Sequence, residues 1–219
     1  MDNAIQAERR PIFGRQSKIN NKIAMKLVAM KVTPNQISIL SIVFASAAAY
    51  PLMMSTRIAD TSESVWCLLL AAAFVSMRLY CNLIDGMMAI EGGKITRSGV
   101  LFNELPDRVS DTLILLALGY ASGPGYVELG WSAALLAMAT AYIRVFGGSC
   151  GLAQDFKGPM AKQHRMFTVI VASLFGSLET TIYGTSYSLR IALLTIVAGS
   201  ILTCARRVFR LRRQLENAS

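Results

Sequence analysis

The chain has 219 residues, 53% hydrophobic and 16% charged, with a formal net charge of +9 and a mean hydropathy of +0.45. That balance excludes an ordinary soluble domain, because several apolar runs approach the ~20 residues that cross a bilayer. It also turns the positive charge away from nucleic acid as a partner and towards the positive-inside bias of membrane proteins.

Residues 1–35 are polar and basic, without an apolar run and cleavage site, so no secretory signal is expected there. Residues 1–15, with Arg9, Arg10, Pro11 and Arg15, are expected to be unstructured. From Gln16 to Lys31 the pattern turns helical. Ile19, Ile23, Leu27 and Met30 form an apolar stripe beside Lys18, Lys22 and Lys26. Such a helix suits the membrane interface, the alternative being a soluble-type helix packed on a partner.

Six spans follow: Gln36–Met54, Val65–Ile90, Gly99–Tyr120, Trp131–Gly151, Met166–Tyr183 and Leu189–Val208. The third has a polar first half and ranks lowest by hydropathy. Gly123-Pro124-Gly125 marks a loop, and 154–165 is a polar loop. Gly147 and Gly151 have the small-xxx-small spacing that permits close helix approach. Cys67, Cys81, Cys150 and Cys204 lack CxxC spacing and are read as packing residues. The predicted fold is therefore an all-α integral membrane protein of six transmembrane helices after an interfacial helix. Its organisation is an N-terminal segment 1–35, a membrane domain 36–208 and a basic tail 209–219, with no internal repeat.

Lys and Arg set the orientation. Seven lie between Arg9 and Lys31, then Arg57 alone, then Lys94 and Arg97, none, Lys157, Lys162 and Arg165, none, and five in the tail. Alternation predicts cytoplasmic termini, with the Lys94 and Lys162 loops on the same side.

Polar chemistry concentrates in Asn82–Asp111. Asn82 and Asp85 are spaced i, i+3, and Asn103 and Asp107 i, i+4, so each pair shares a helix face. Two crossing helices would aim four oxygen-bearing side chains at one point, a set suited to Mg²⁺ or Mn²⁺. Ionisable groups inside spans cost ~2.5–3.5 kcal/mol each on insertion scales, so Arg78, Asp85, Glu104, Asp107, Arg108 and Asp111 mark a cavity or a structural network. On the structural reading Arg108 pairs with Asp111, and Arg78 with an acid across helices. A small transporter or channel would also carry intramembrane charge, but leaves the spacing of Gly86 and Gly99 without a reason.

The stretch resembles the signature of the CDP-alcohol phosphotransferases, D-x2-D-G-x2-A-R-x8-G-x3-D-x3-D. Asp85, Gly86, Ala89, Gly99 and Asp107 match without gaps, while Asn82, Ile90 and Asn103 depart. Thr33-Pro34-Asn35, followed by Ile37 and Ser38, is similar to the start of that family's first span. The resemblance implies transfer of a phosphatidyl or other phospho-alcohol group from CDP-diacylglycerol, or another CDP-alcohol, to an alcohol acceptor with release of CMP. It implies Mg²⁺ or Mn²⁺ on Asn82, Asp85, Asn103 and Asp107, with Asp107 also the general base. Asn35, Gly86, Ala89 and Gly99 would meet the nucleotide, unless the glycines serve helix packing. Arg144, Lys162 and Arg165 would take an acceptor that carries a phosphate, such as glycerol 3-phosphate or inositol phosphate. Implied too are membrane-lipid contacts, a homodimer, and a bacterial inner-membrane location with the site facing the cytoplasm. The alternative is a degenerate member that binds CDP-lipid or phospholipid as a regulatory or partner subunit.

The topology has a direct test. A reactive cysteine at Lys94 should label from the cytoplasm and one at Gly125 from the opposite face; labelling from one side would overturn the six-span arrangement.

Overall fold

In the computed structural model, residues 17–90, 92–93 and 99–217 are described. Lys94, Arg97 and the basic positions before Ser17 lie outside the described residues. Among the described residues seven helices follow one another: α1 (Lys18–Ala29), α2 (Pro34–Met54), α3 (Thr61–Ile90), α4 (Gly99–Ala121), α5 (Val127–Ser149), α6 (Lys162–Tyr183) and α7 (Tyr187–Asn217). Five of them, α2, α3, α5, α6 and α7, are long and apolar enough to cross a membrane. The chain is thus an all-helical integral membrane protein. Two fall below that threshold: α1, of 12 residues, and α4, whose first half carries Glu104, Asp107, Arg108 and Asp111.

Local chemistry explains the boundaries. Thr33 opens α2 through a capping box: its hydroxyl accepts from Gln36 N at 3.3 Å, and Gln36 Oε1 accepts from Thr33 N at 2.9 Å. Pro34 follows at the first turn, where its missing N–H costs nothing. The helix α1 rests on α3, where Tyr80 donates to Asn20 Oδ1 at 3.2 Å. At the far end of the bundle Gly184, left-handed at φ 65°, ends α6. Glu179 there accepts from the backbone N–H groups of Tyr187 and Ser188 at 2.6 and 2.8 Å, capping α7.

The six longer helices close a ring in the spatial order α2, α3, α6, α7, α5, α4 and back to α2. Leu52, Leu68, Val75, Leu118, Met166 and Leu193 help to fill its centre. A second apolar cluster gathers Ala24, Ile37, Ile84, Met87 and Met88 beneath α1.

Four expectations need correction. The helix α6 starts at Lys162 rather than Met166, so Lys162, His164 and Arg165 sit in its first turn and not in a loop. Hydropathy starts a span at the first apolar run, but ion pairs let Lys162 and Arg165 be buried before it. Gly147 and Gly151 do not make the close approach: a Cβ at Gly147 would meet Leu211 Cδ1 at an ordinary 3.4 Å, and Gly151 lies beyond α5 with nothing within 4 Å. The tight crossing is between Gly119 on α4 and Gly130 on α5, where a Cβ on either would come within 2.8 Å of the other's Cα. All four cysteines are free, and Cys150 is exposed rather than packed. Residues 209–217 continue α7 as helix, with Arg212 and Glu216 paired at 2.8 Å.

Gly119→Ala and Gly130→Ala should each cost ~1–3 kcal/mol by overpacking a backbone contact, read as a lower thermal midpoint in detergent. Gly147→Ala should leave the midpoint nearly unchanged. An equal fall in that control would remove the close contact as the cause.

Candidate active site

Four helices bring the polar residues together. α3 contributes Arg78, Asn82 and Asp85, each on the face that turns inward every third or fourth residue. α4 contributes Asp107 and Asp111 at the same spacing, α6 contributes Lys162 and Arg165, and α2 contributes Ser38.

Arg78 is at the centre and is 0% exposed. Its Nη2 donates to Asp111 Oδ1 at 2.7 Å and, more weakly, to Asp107 Oδ1 at 3.4 Å. Arg165, 1% exposed, donates through Nη2 to Asp111 Oδ2 at 2.9 Å and through Nη1 to the Met160 carbonyl at 2.9 Å. Each oxygen of Asp111 thus holds one arginine, from two different helices. Lys162 Nζ contacts Asp107 Oδ2, and Arg108 Nη2 lies 3.8 Å from the same oxygen. Arg108 also approaches Glu104 at 3.6 Å, so its acidic neighbours are these and not the predicted Asp111. The predicted pairing of Arg78 with an acid across helices is present twice over.

Asp85 is buried, receives a hydrogen bond from Ser38 at 2.6 Å, and feels the charges of Lys162 and Asp107. Ser38 is a functional neighbour that the sequence reading did not single out. Its signal was present in the Thr33–Ser38 pattern, where it falls one turn after Pro34. Asn103 is exposed, one turn before Asp107, with Pro106 between them. Of the residues assigned to nucleotide, Asn35 is half-buried in the first turn of α2, Gly86 and Ala89 are half-buried on α3, and Gly99 is half-buried at the start of α4. Arg144 is joined to the cluster only through Glu104, at 2.6 Å; it also donates to Gln154 and stacks over Phe156. His164 is exposed, with Nδ1 2.9 Å from the Pro159 carbonyl.

Two observations bear on a metal. Asn82 Nδ2 is buried with no hydrogen-bond partner, and a half-turn of the amide puts its oxygen there, an acceptor that a cation would satisfy. Among the described residues no three carboxylate, imidazole or thiol groups converge on one point, so a site at this crossing mixes two carboxylates with amide oxygens. Oxygen donors of this kind fit Mg²⁺ or Mn²⁺ in chemistry. Their charge is lower than four carboxylates would give.

No protein-family model matches the chain. It is 27% identical over 209 residues to the phosphatidylinositol phosphate synthase of Streptomyces avermitilis, covering 92% of this chain and 81% of that one. It is 25% identical over 200 residues to the archaetidylinositol phosphate synthase of Pyrococcus horikoshii, covering 89% and 92%. Its fold is similar to that of the Mycobacterium tuberculosis phosphatidylinositol phosphate synthase with CDP-DAG bound, at TM-score 0.71 and 21% identity, over 89% and 94% of the two chains. The same synthase in complex with manganese and citrate superposes at 0.71 and 21%, over 88% of each chain. Over nine-tenths of its length, then, the chain is similar to phosphatidylinositol phosphate synthases, and α3 and α4 carry the register that resembles the CDP-alcohol phosphotransferase signature.

Proposed function

We propose that the protein is a membrane phosphotransferase that moves a phosphatidyl group from a CDP-linked donor to an alcohol acceptor, releasing CMP, in phospholipid synthesis. The observation that carries this reading is the convergence of Asp85 and Asp107, from two helices and in the family's register, on one buried, cation-lined cluster. The homology to phosphatidylinositol phosphate synthases supplies the reaction class.

Each residue then has a task. Asp85, Asp107 and the amide oxygens of Asn82 and Asn103 hold a divalent cation, Mg²⁺ or Mn²⁺, and Ser38 fixes the orientation of Asp85. When bound, that cation neutralises the donor diphosphate and the leaving CMP. Asn35, Gly86, Ala89 and Gly99 line the nucleotide's approach. Asp107 takes the proton of the acceptor hydroxyl; the acceptor oxygen bonds to the lipid-side phosphorus, and CMP departs with the electrons of the broken P–O bond. Arg144 and Lys162, with Arg165 behind them, form the cationic side on which a phosphorylated acceptor is received, inositol phosphate being the choice suggested by the relatives' names. In this reading α4 is the sixth span within a 36–208 membrane domain, and α1, in the 1–35 segment, lies in the interface. The termini, the 209–219 tail and the site face the cytoplasm of a bacterial inner-membrane homodimer.

The test is CMP release from CDP-diacylglycerol with Mg²⁺ or Mn²⁺ across acceptors with and without a phosphate. Wild type should release CMP with one acceptor class, and Asp107→Asn should lower that rate by at least about a hundredfold, the lower range for a lost general base. A second reading draws on the same site: both Asp107 oxygens already face cations, as suits a member that binds CDP-lipid without turning it over. A silent wild type that becomes active as Asn82→Asp/Asn103→Asp would establish that second reading.

A further inference from the structure

A divalent cation brought to Asp85 and Asp107 meets a cluster whose charge is already balanced. Within the cluster the buried carboxylates of Asp85, Asp107 and Asp111 stand against the buried cations Arg78, Lys162 and Arg165, while Arg144, also buried, pairs with Glu104, and buried Arg207 donates to the Lys157 and Thr140 carbonyls. Positions 82 and 103, where acids would tip the balance towards a metal, carry amides. A lone divalent ion would therefore leave two uncompensated positive charges in a buried site, where desolvation is costly and attraction to two carboxylates is opposed by the cations already on one of them. A donor diphosphate carries two negative charges of its own. Cation and donor together add none.

Lys162 sets this balance. Arg78 and Arg165 are both tied to Asp111, whereas Lys162 contacts Asp107 Oδ2, an oxygen that the cation would need. Its flexible stem allows the ammonium to swing away, which the fixed guanidinium pairs do not. Resting on the functional reading above, we propose that Lys162 is a built-in counter-ion occupying Asp107 in place of metal charge, so that the protein takes up a divalent cation only together with the diphosphate of its CDP-linked donor. Cation and donor each raise the other's affinity by the same factor, as linkage requires. Once displaced from Asp107, the ammonium turns to the acceptor side of the site.

The experiment is Mn²⁺ binding to the full-length protein in detergent, read from loss of the free-ion electron paramagnetic resonance signal, with and without CDP-diacylglycerol and against protein-free micelles. Wild type should bind no ion in the sub-millimolar range alone and one with the donor. Lys162→Met, which removes a single positive charge, should tighten donor-free Mn²⁺ binding by at least about tenfold, and Asn103→Asp should act in the same direction. Lys162→Arg, which keeps the charge, should leave donor-free Mn²⁺ binding as weak as in wild type. Retained donor binding in the presence of Mn²⁺ shows that a variant is folded. Donor-free binding of equal strength in wild type, Lys162→Met and Asn103→Asp would overturn the counter-ion while leaving CMP release, and so the enzyme reading, intact. Failure to bind the CDP-lipid under any condition would overturn both.

Discussion

Arg78 is the constraint on which the ring of helices turns. A guanidinium with no exposure cannot give up its charge, so it has to be met by acids, and Asp107 and Asp111 meet it from α4. Asp111 then holds Arg165 of α6 by its other oxygen. One buried carboxylate therefore fixes the relative depth of three helices. Apolar packing alone would let them slide, since lipid-facing and core-facing side chains are equally apolar. Removing Asp111 would strand Arg165 and leave Arg78 only its longer pair with Asp107, whereas the more exposed Glu104 links Arg108 and Arg144 at much smaller cost.

What the sequence makes legible is whatever depends on helical spacing. Asp85 and Asp107 could be named because spacings of three and four residues put them on faces shared with Asn82 and Asn103, and the signature register says which faces meet. The polar first half of α4 is legible in the sequence as well, as the low hydropathy that keeps this helix below the membrane-crossing threshold. Lys162 beside Asp107 is not legible in that way. Fifty-five positions separate them, and no pattern states that the first turn of α6 reaches α4. The glycines show a similar limit. Small residues announce that some helix comes close, but Gly119 meets Gly130 because α4 and α5 cross there, while Gly147 meets only the tip of Leu211. The continuation of α7 past Val208 escapes hydropathy because Arg, Gln, Leu and Glu favour helix whether or not lipid surrounds them.

The substitutions at 82 and 103 and the presence of Lys162 belong together physically. Four carboxylates on two crossing helices repel one another unless cations fill the space between them. Three carboxylates, Asp85, Asp107 and Asp111, with one ammonium and two guanidiniums nearby are balanced without an added ion. On the proposed function the amides would preserve hard oxygen donors and shape, with the resting charge supplied from within the protein.

The segment leading into Lys162 is fastened from a distance. Met160 N donates to Thr203 Oγ1 at 3.0 Å, Arg207 Nε donates to the Lys157 carbonyl at 3.1 Å, and Gly158 is pressed so close to Thr203 that a Cβ there would lie 2.4 Å from its methyl. All three holds come from one stretch of α7, the helix that follows α6 in the chain. The wall of the site that carries Lys162 and Arg165 is therefore fastened only when α7 is in place. Before α7 docks, Arg78 can already meet Asp107 and Asp111, but the segment that leads to Lys162 and Arg165 lacks all three of these holds.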